Sequence, residues 1–267
     1  MSALKKRVFL FLFFFCNSFV AAYVDPSLEG QISSYSVSLV IIASLFVVFF
    51  AFLFLLYTKQ LAHYKKLIFC LIVIPVGLSS LFLAGSTVYV NLISDTKGPV
   101  HWHADFEVWN CEEKLDLIDP RGLSNKVGSA LFHEHNDNRI HVEGVVLNTA
   151  MVGIDDFFHV VGGDLKKNYF SFPTENEVVY VDDGNMCNGR PGKVQIFLYR
   201  IINPNKKSGF IYSQEKLEKF EDYTSSPYSL VPPGDCIIVE FSEERDKTDH
   251  LCESYRVAKE RGELIGR

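Results

Sequence analysis

Two stretches of this chain, residues 37–57 and 67–94, contain no charged residue. That property restricts what they can become. At 1.5 Å rise per residue, about 20 helical residues cross the roughly 30 Å hydrocarbon core of a bilayer. A helix that is apolar on every side belongs in a membrane or deep in a core. We read both stretches as transmembrane helices, the second interrupted by Pro75 and Gly77. Lys59, Lys65 and Lys66 lie in the short connection, and the positive-inside tendency places that connection in the cytoplasm. The outer ends of the pair then face outward.

The N-terminus agrees with this orientation. Residues 1–22 combine a basic start (Lys5, Lys6, Arg7), an apolar run and small residues at Val20 and Ala22, the pattern of a secretory signal peptide cleaved after Ala22. The alternative is an uncleaved first transmembrane helix. In either case residues 25–36 are exported. The expectation is a multi-pass protein of the cell membrane, with residues 95–267 forming one extracytoplasmic domain of the usual domain size.

Composition narrows the partners of that domain. Of 26 basic residues six precede Asp95, and of 32 acidic residues two do, so the exported part holds 20 against 30 and carries about −10. Binding to nucleic acid calls for a basic surface, so that class is excluded; the membrane is the expected partner. Among six cysteines, Cys16 falls in the signal segment and Cys70 in an apolar run. The remaining four, Cys111, Cys187, Cys236 and Cys252, are an even set in an oxidising compartment. Two disulfides are expected, with three connectivities open.

Periodicity indicates an α+β domain. "HADFEVWN" and "EKLDLI" alternate apolar and polar residues around a Cys-Glu turn, and read as a hairpin. "NRIHVEGVVLN" is a third strand. "TAMVGIDDFFHVVGG" has a cap at Thr149, early acids and a double-glycine stop, which predicts a short helix. "KVQIFLYRI" and "PPGDCIIVEFSE" are further strands, "SQEKLEKFEDY" reads as a surface helix between them, and "CESYRVAKERGEL" as a C-terminal helix or tail. The resulting ββ(β)αββ order resembles the β-grasp arrangement, and "PPGDCIIVEF" is similar to the last strand of its sulfur-carrier members. The Gly-Gly terminus of those carriers is absent here, and fold analogy carries no activity.

Five of eight histidines, His101, His103, His133, His135 and His141, fall within a 41-residue window. In a strand, residues i and i+2 share a face about 6.5 Å apart, so the two imidazoles of His-x-His can bend toward one ion at roughly 2 Å from each nitrogen. His141 and Glu143 are again an i, i+2 pair, placing a carboxylate beside an imidazole as a ligand or its orienter. The metal suited to such a set is a divalent transition ion, copper or zinc. Taken singly, each histidine has a plainer reading as a packed or solvated side chain. His159 reads as packing or surface, His250 as solvated and His63 as cytoplasmic. The cupin spacing fails, because Arg139 and Ile140 stand where its glutamate belongs. H-E-x-x-H fails at Asp137, and no G-x-S-x-G, P-loop or G-x-G-x-x-G is present.

The ordered blocks "HWHADFEVW", "HEHNDNRIHVE" and "VGIDDFFHVVGG" resemble those of a little-characterised group of membrane-anchored, exported proteins of archaea and bacteria. The resemblance covers residues 101–163. Glu134 and Ile154 depart from the group's pattern, which has Thr and a Gly-Asp pair at these places. The group implies a histidine-rich metal site without supplying a reaction. Three functions follow as expectations. The first is a membrane-anchored metal-binding module for copper or zinc, with His101, His103, His133, His135, His141 and Glu143 as ligands, serving capture, delivery or sensing. The second is an exported metalloenzyme with an open position on the ion and Glu143 or Glu134 as base. The third is an envelope interaction domain in which the histidines merely pack.

Overall fold

A computed structural model describes residues 28–121, 125–220, 223, 225 and 234–266; the signal segment 1–22 and Cys16 lie outside them. The chain divides into two compact units, residues 1–87 and 88–267.

The first unit is built on α1 (Leu28–Leu56) and most of α2 (Lys65–Ile93), joined by the short helical turns Thr58–Leu61 and Ala62–Tyr64. Both long helices are long and apolar enough to cross a membrane. They begin before the uncharged runs do, and α2 continues through Pro75. Several of their hydroxyls bond back along the helix: Ser36 donates to the Ile32 carbonyl, Ser44 to Val40 and Thr87 to Leu83, each at 2.8 Å. Such i−4 bonding satisfies the hydroxyl within the helix itself.

The second unit is organised by a nine-stranded sheet of spatial order β14-β12-β11-β13-β1-β5-β4-β3, with β2 also pairing β1. Its long members are β1 (Pro99–Asn110), β5 (Arg139–Val145), β11 (Lys193–Ile201), β12 (Phe210–Lys216) and β13 (Asp235–Ser242). The short ones are β2 (Glu113–Leu115), β3 (Val127–Gly128), β4 (Phe132–Glu134) and β14 (Leu264–Gly266). β1 runs parallel to β13, and β12 to β14; the other pairs are antiparallel. A separate three-stranded sheet, β6 (Asp164–Lys166), β7 (Tyr169–Pro173) and β8 (Val178–Asp182), and a small ladder of β9 (Met186–Cys187) with β10 (Arg190–Pro191) complete the strands.

The two-residue period explains which face each side chain serves. On β13, Ile237, Val239 and Phe241 enter one core, while Cys236 and Ile238 enter a second on the opposite face. A strand buried on both sides has no polar face to alternate, which is why "CIIV", Cys236 to Val239, is a continuous apolar run. The larger core packs Phe106, Phe132, Ile140 and Val142 against α3 (Ile154–Val160) and against Phe170 and Phe172 of β7. The Phe106 and Phe157 rings meet edge-on at 4.9 Å. The second core sets Phe197, Tyr199 and Ile238 under α4 (Glu253–Glu260), whose Tyr255 is fully buried.

The helix over residues 149–163 begins later than its sequence suggests. Thr149 opens a 3-10 turn, and α3 starts after Gly153, whose N–H donates to the Asp156 carboxylate at 3.1 Å. The double-glycine stop holds: Gly162 takes φ +95° and Gly163 N–H donates to the Phe158 carbonyl. "SQEKLEKFEDY" is not helical from Ser213 to Lys219. Ser213 to Lys216 are the end of β12, and Leu217 continues the pairing by donating to the Ile196 carbonyl. Tertiary bonds override helix propensity here, since Gln214 donates to the Thr248 carbonyl and Lys216 to that of Arg245. Cys111, Cys187, Cys236 and Cys252 form two disulfides, Cys111–Cys187 and Cys236–Cys252, with Cα separations of 5.7 and 5.9 Å.

Candidate metal centre

On β1, Ala104, Phe106 and Val108 point into the larger core, so His101, His103 and Asp105 point to the opposite face. On β5, Ile140 and Val142 take the core side and leave His141 and Glu143 opposite; on β4, Phe132 does the same for His133. Strand pairing then brings the alternate residues together. His103 is registered against His141, His101 against Glu143, and His133 against His141. His135 follows the end of β4. Three adjacent strands thus gather all five histidines and Glu143 on one face.

The side chains converge within this patch. Nε2 atoms of His101 and His103 are 2.8 Å apart, and those of His133 and His135 are 3.1 Å apart. Glu143 stands between the pairs, Oε1 3.0 Å from His101 Nε2 and Oε2 3.7 Å from His133 Nε2. The His141 ring lies 4.7 Å from that of His103, 4.8 Å from that of His135, and stacks on that of His133 at 5.6 Å with an interplanar angle of 5°. His101, His103 and His141 offer ligand atoms that all lie within 4.8 Å of one another. An ion held tetrahedrally at about 2 Å keeps its ligand atoms roughly 3.3 Å apart, a spacing inside the 4.8 Å that bounds this triad.

Electrostatics favour the ligating form of imidazole. Burial lowers His103 from 6.5 to about 4, helped by His141, His101 and Arg139 against the pull of Asp137. Burial likewise lowers His133 to about 4, with Lys126, His135 and His141 acting in the same sense and Glu143 opposing. Both are neutral at pH 7, with a lone pair to give and no proton to displace. The Nδ1 atoms of His133 and His141 are buried and have no hydrogen-bond partner among the described residues. Either nitrogen of these rings can be turned inward without breaking a bond at Nδ1.

Asp137 is a member of the patch that sequence reasoning missed. Its Oδ2 lies 3.2 Å from His141 Nε2. Burial raises its carboxyl, but the His141 bond and the neighbouring Arg139 outweigh this and leave the net shift downward. The signal was the Asn-Asp-Asn turn: Asn136 and Asn138 adopt φ +65° and +56°, conformations asparagine tolerates, and these fold Asp137 back over β5.

Glu134, expected as an alternative base, has another task. It is buried, and its Oε1 accepts from the backbone N–H of Asp137 at 2.5 Å and of Asn138 at 3.0 Å. It holds the turn and faces away from its neighbours His133 and His135. His159 is exposed on α3 and His63 is exposed in the first unit. His250 is not simply solvated: its ring stacks on Trp109, centroids 3.7 Å apart at 11°.

Beside the patch, Arg139 Nε donates to Asp105 at 2.6 Å, and the Ser254 hydroxyl donates to the other Asp105 oxygen. Asp105 therefore ties β5 and the start of α4 to the histidine-bearing strand. Comparison of the chain with protein-family models, with curated proteins and with solved structures finds no match.

Proposed function

We propose that this protein is a membrane-anchored, extracytoplasmic metal-binding module for copper or zinc, and that His101, His103 and His141, with Glu143 beside them, are its primary ligands. One observation carries the reading: three adjacent strands bring five imidazoles and a carboxylate onto one face, with three ligand atoms within 4.8 Å of one another. Imidazole-rich sets with little carboxylate suit Cu(II) and Zn(II), and affinity alone favours copper. His101 and Glu143 are 59% and 41% exposed. That opening supports exchange of the ion, as capture, delivery or sensing requires. It equally favours the second reading, a metalloenzyme with an open position beside Glu143 as base.

The remaining expectations belong to the same proposal. Two apolar helices support anchoring; the lysines between them and the two disulfides support a cytoplasmic loop and an exported domain. The order β5-β1-β13-β11-β12, with β1 and β13 parallel and α3 following β5, supports a β-grasp-like reading. The block pattern supports kinship with the membrane-anchored, exported group.

The test is elemental analysis of the full chain purified in detergent. Stoichiometric copper or zinc that is lost in His101→Ala/His103→Ala and in His141→Ala supports the reading. A chain that holds no metal at neutral pH returns the histidines to packing. Hydrolysis of an ester or phosphoester that depends on metal and is lost in Glu143→Gln would favour the enzyme.

A further inference from the structure

We propose that the patch is a binuclear centre in which Glu143 bridges two ions; this rests on the metal-binding reading and specifies its stoichiometry. The two His-x-His pairs are separate in space and alike in form. Each closes its own Nε2 atoms to about hydrogen-bond distance, 2.8 Å for His101 and His103 and 3.1 Å for His133 and His135. One carboxylate addresses both, through different oxygens: Oε1 of Glu143 faces the first pair at 3.0 Å and Oε2 faces the second at 3.7 Å. Two cations on opposite oxygens of one carboxylate stand about 3.5–4 Å apart in binuclear sites generally. A single four-coordinate ion does not account for this arrangement. Four coordination places cannot take five imidazoles and a carboxylate, and the ligands left over by the His101, His103 and His141 triad are the second pair and the second oxygen.

The two positions differ in completeness. The first has three imidazoles whose ligand atoms lie within 4.8 Å of one another, with Oε1 of Glu143 beside His101 to serve as a fourth once they close on the ion. The second has His133 and His135 with Nε2 atoms 3.1 Å apart and Oε2 3.7 Å from His133, to be drawn in as the third ligand, which leaves one place for solvent or an incoming ligand. A three-ligand position exchanges more readily than a closed one. Its ligands come from a buried and a half-buried histidine, His133 at 1% exposure, so the second ion sits deeper while its free place is set by the half-exposed Glu143 edge. His141 stacks on His133 and lies near His103 and His135, at the boundary between the positions. Asp137 bonds its Nε2 edge and holds the ring there.

The experiment uses the full chain in detergent, loaded with Cu(II) or Zn(II) and freed of excess metal by gel filtration. Two ions per chain are expected, with His133→Gln/His135→Gln and His101→Gln/His103→Gln each retaining one. In the Cu(II)-loaded wild type, the two spins couple through the carboxylate. The paramagnetic resonance intensity then falls below that of two isolated ions, whereas each pair variant gives the full signal of one. This spectroscopic reading on the wild type does not depend on how the variants fold. One ion per chain with an uncoupled signal overturns the binuclear centre and leaves the metal-binding reading standing. No ion overturns both, and two ions unaffected by either double variant place the metal elsewhere and also overturn it.

Discussion

His103 and His141 oppose each other directly across β1 and β5, their ring centroids 4.7 Å apart and their planes at 80°. The same His141 is registered against His133 on its other side. His141 is therefore the one imidazole in contact with both neighbouring strands' histidines, whereas His101 lies at the exposed rim.

This position predicts unequal losses. Removing an outer partner of a metal ligand costs roughly 10–100-fold in affinity, and a ligand itself costs more. His141→Ala is expected to weaken copper or zinc binding by more than about 100-fold, and His101→Ala by less. Competition with a chromophoric chelator measures both; equal losses would remove the central role assigned to His141.

The disulfides predict a second asymmetry. Cys111–Cys187 closes a separation of 76 residues and Cys236–Cys252 one of 16. By the loop-closure argument their removal costs about 4.5 and about 3 kcal/mol respectively. Cys111→Ala/Cys187→Ala is expected to lower the thermal midpoint more than Cys236→Ala/Cys252→Ala. Alkylation of the untreated chain followed by mass spectrometry checks the pairing itself, and labelling of all four thiols would refute it.

What could be read from the residues depended on whether local pattern or distant partners decided the outcome. β11 and β13 were legible because both faces are buried and the apolar run is unbroken from Ile196 to Leu198 and from Ile237 to Val239. The His-x-His pairs were legible because strand period alone puts i and i+2 on one face. Their convergence was expected from the chemistry of the set, but the register that produces it, β4 and β1 both pairing β5, is announced by no spacing. Ser213 to Lys216 misled because their polar residues favour a helix until Thr248 and Arg245 supply carbonyls from far along the chain. The sheet of β6, β7 and β8 is marked in the sequence only by the alternation of Phe170 and Phe172, because β6 is three residues long and most of β8 is not buried. Asp137 was passed over because a turn residue gains its role only when the turn folds back.

Glu134 and Glu143 are expected to separate by phenotype. Glu134 accepts two backbone N–H groups at the turn, and a hydrogen bond to a charged group contributes about 1.5–3 kcal/mol. Glu134→Ala should destabilise the metal-free chain by an amount in that range, read by chemical denaturation. Glu143 is half-exposed and bonded only within the patch, so Glu143→Ala should leave the metal-free midpoint nearly unchanged and weaken metal binding. The reverse pattern would show that Glu134 serves the ion and Glu143 the fold.

The last prediction concerns pH, and its sign follows from which state holds more protons. His103 and His133 titrate near 6.5 when unfolded and near 4 when folded. Between these values the unfolded chain binds more protons than the folded one, so stability rises with pH across the window and is complete above 6.5. Asp105 works in the opposite sense just above its usual range, because burial, opposed by the Arg139 pair, raises its folded carboxyl above the ordinary value. Comparison with a variant isolates the histidines: His103→Gln/His133→Gln should lose less stability than the wild type when the pH of the metal-free protein falls from 7 to 4.5. Bound metal should steepen the wild-type dependence, because protons and the ion compete for the same nitrogens. Denaturation midpoints measured across that range, with and without zinc, provide the check, and parallel curves for wild type and variant would show that these two rings are not held neutral by the fold.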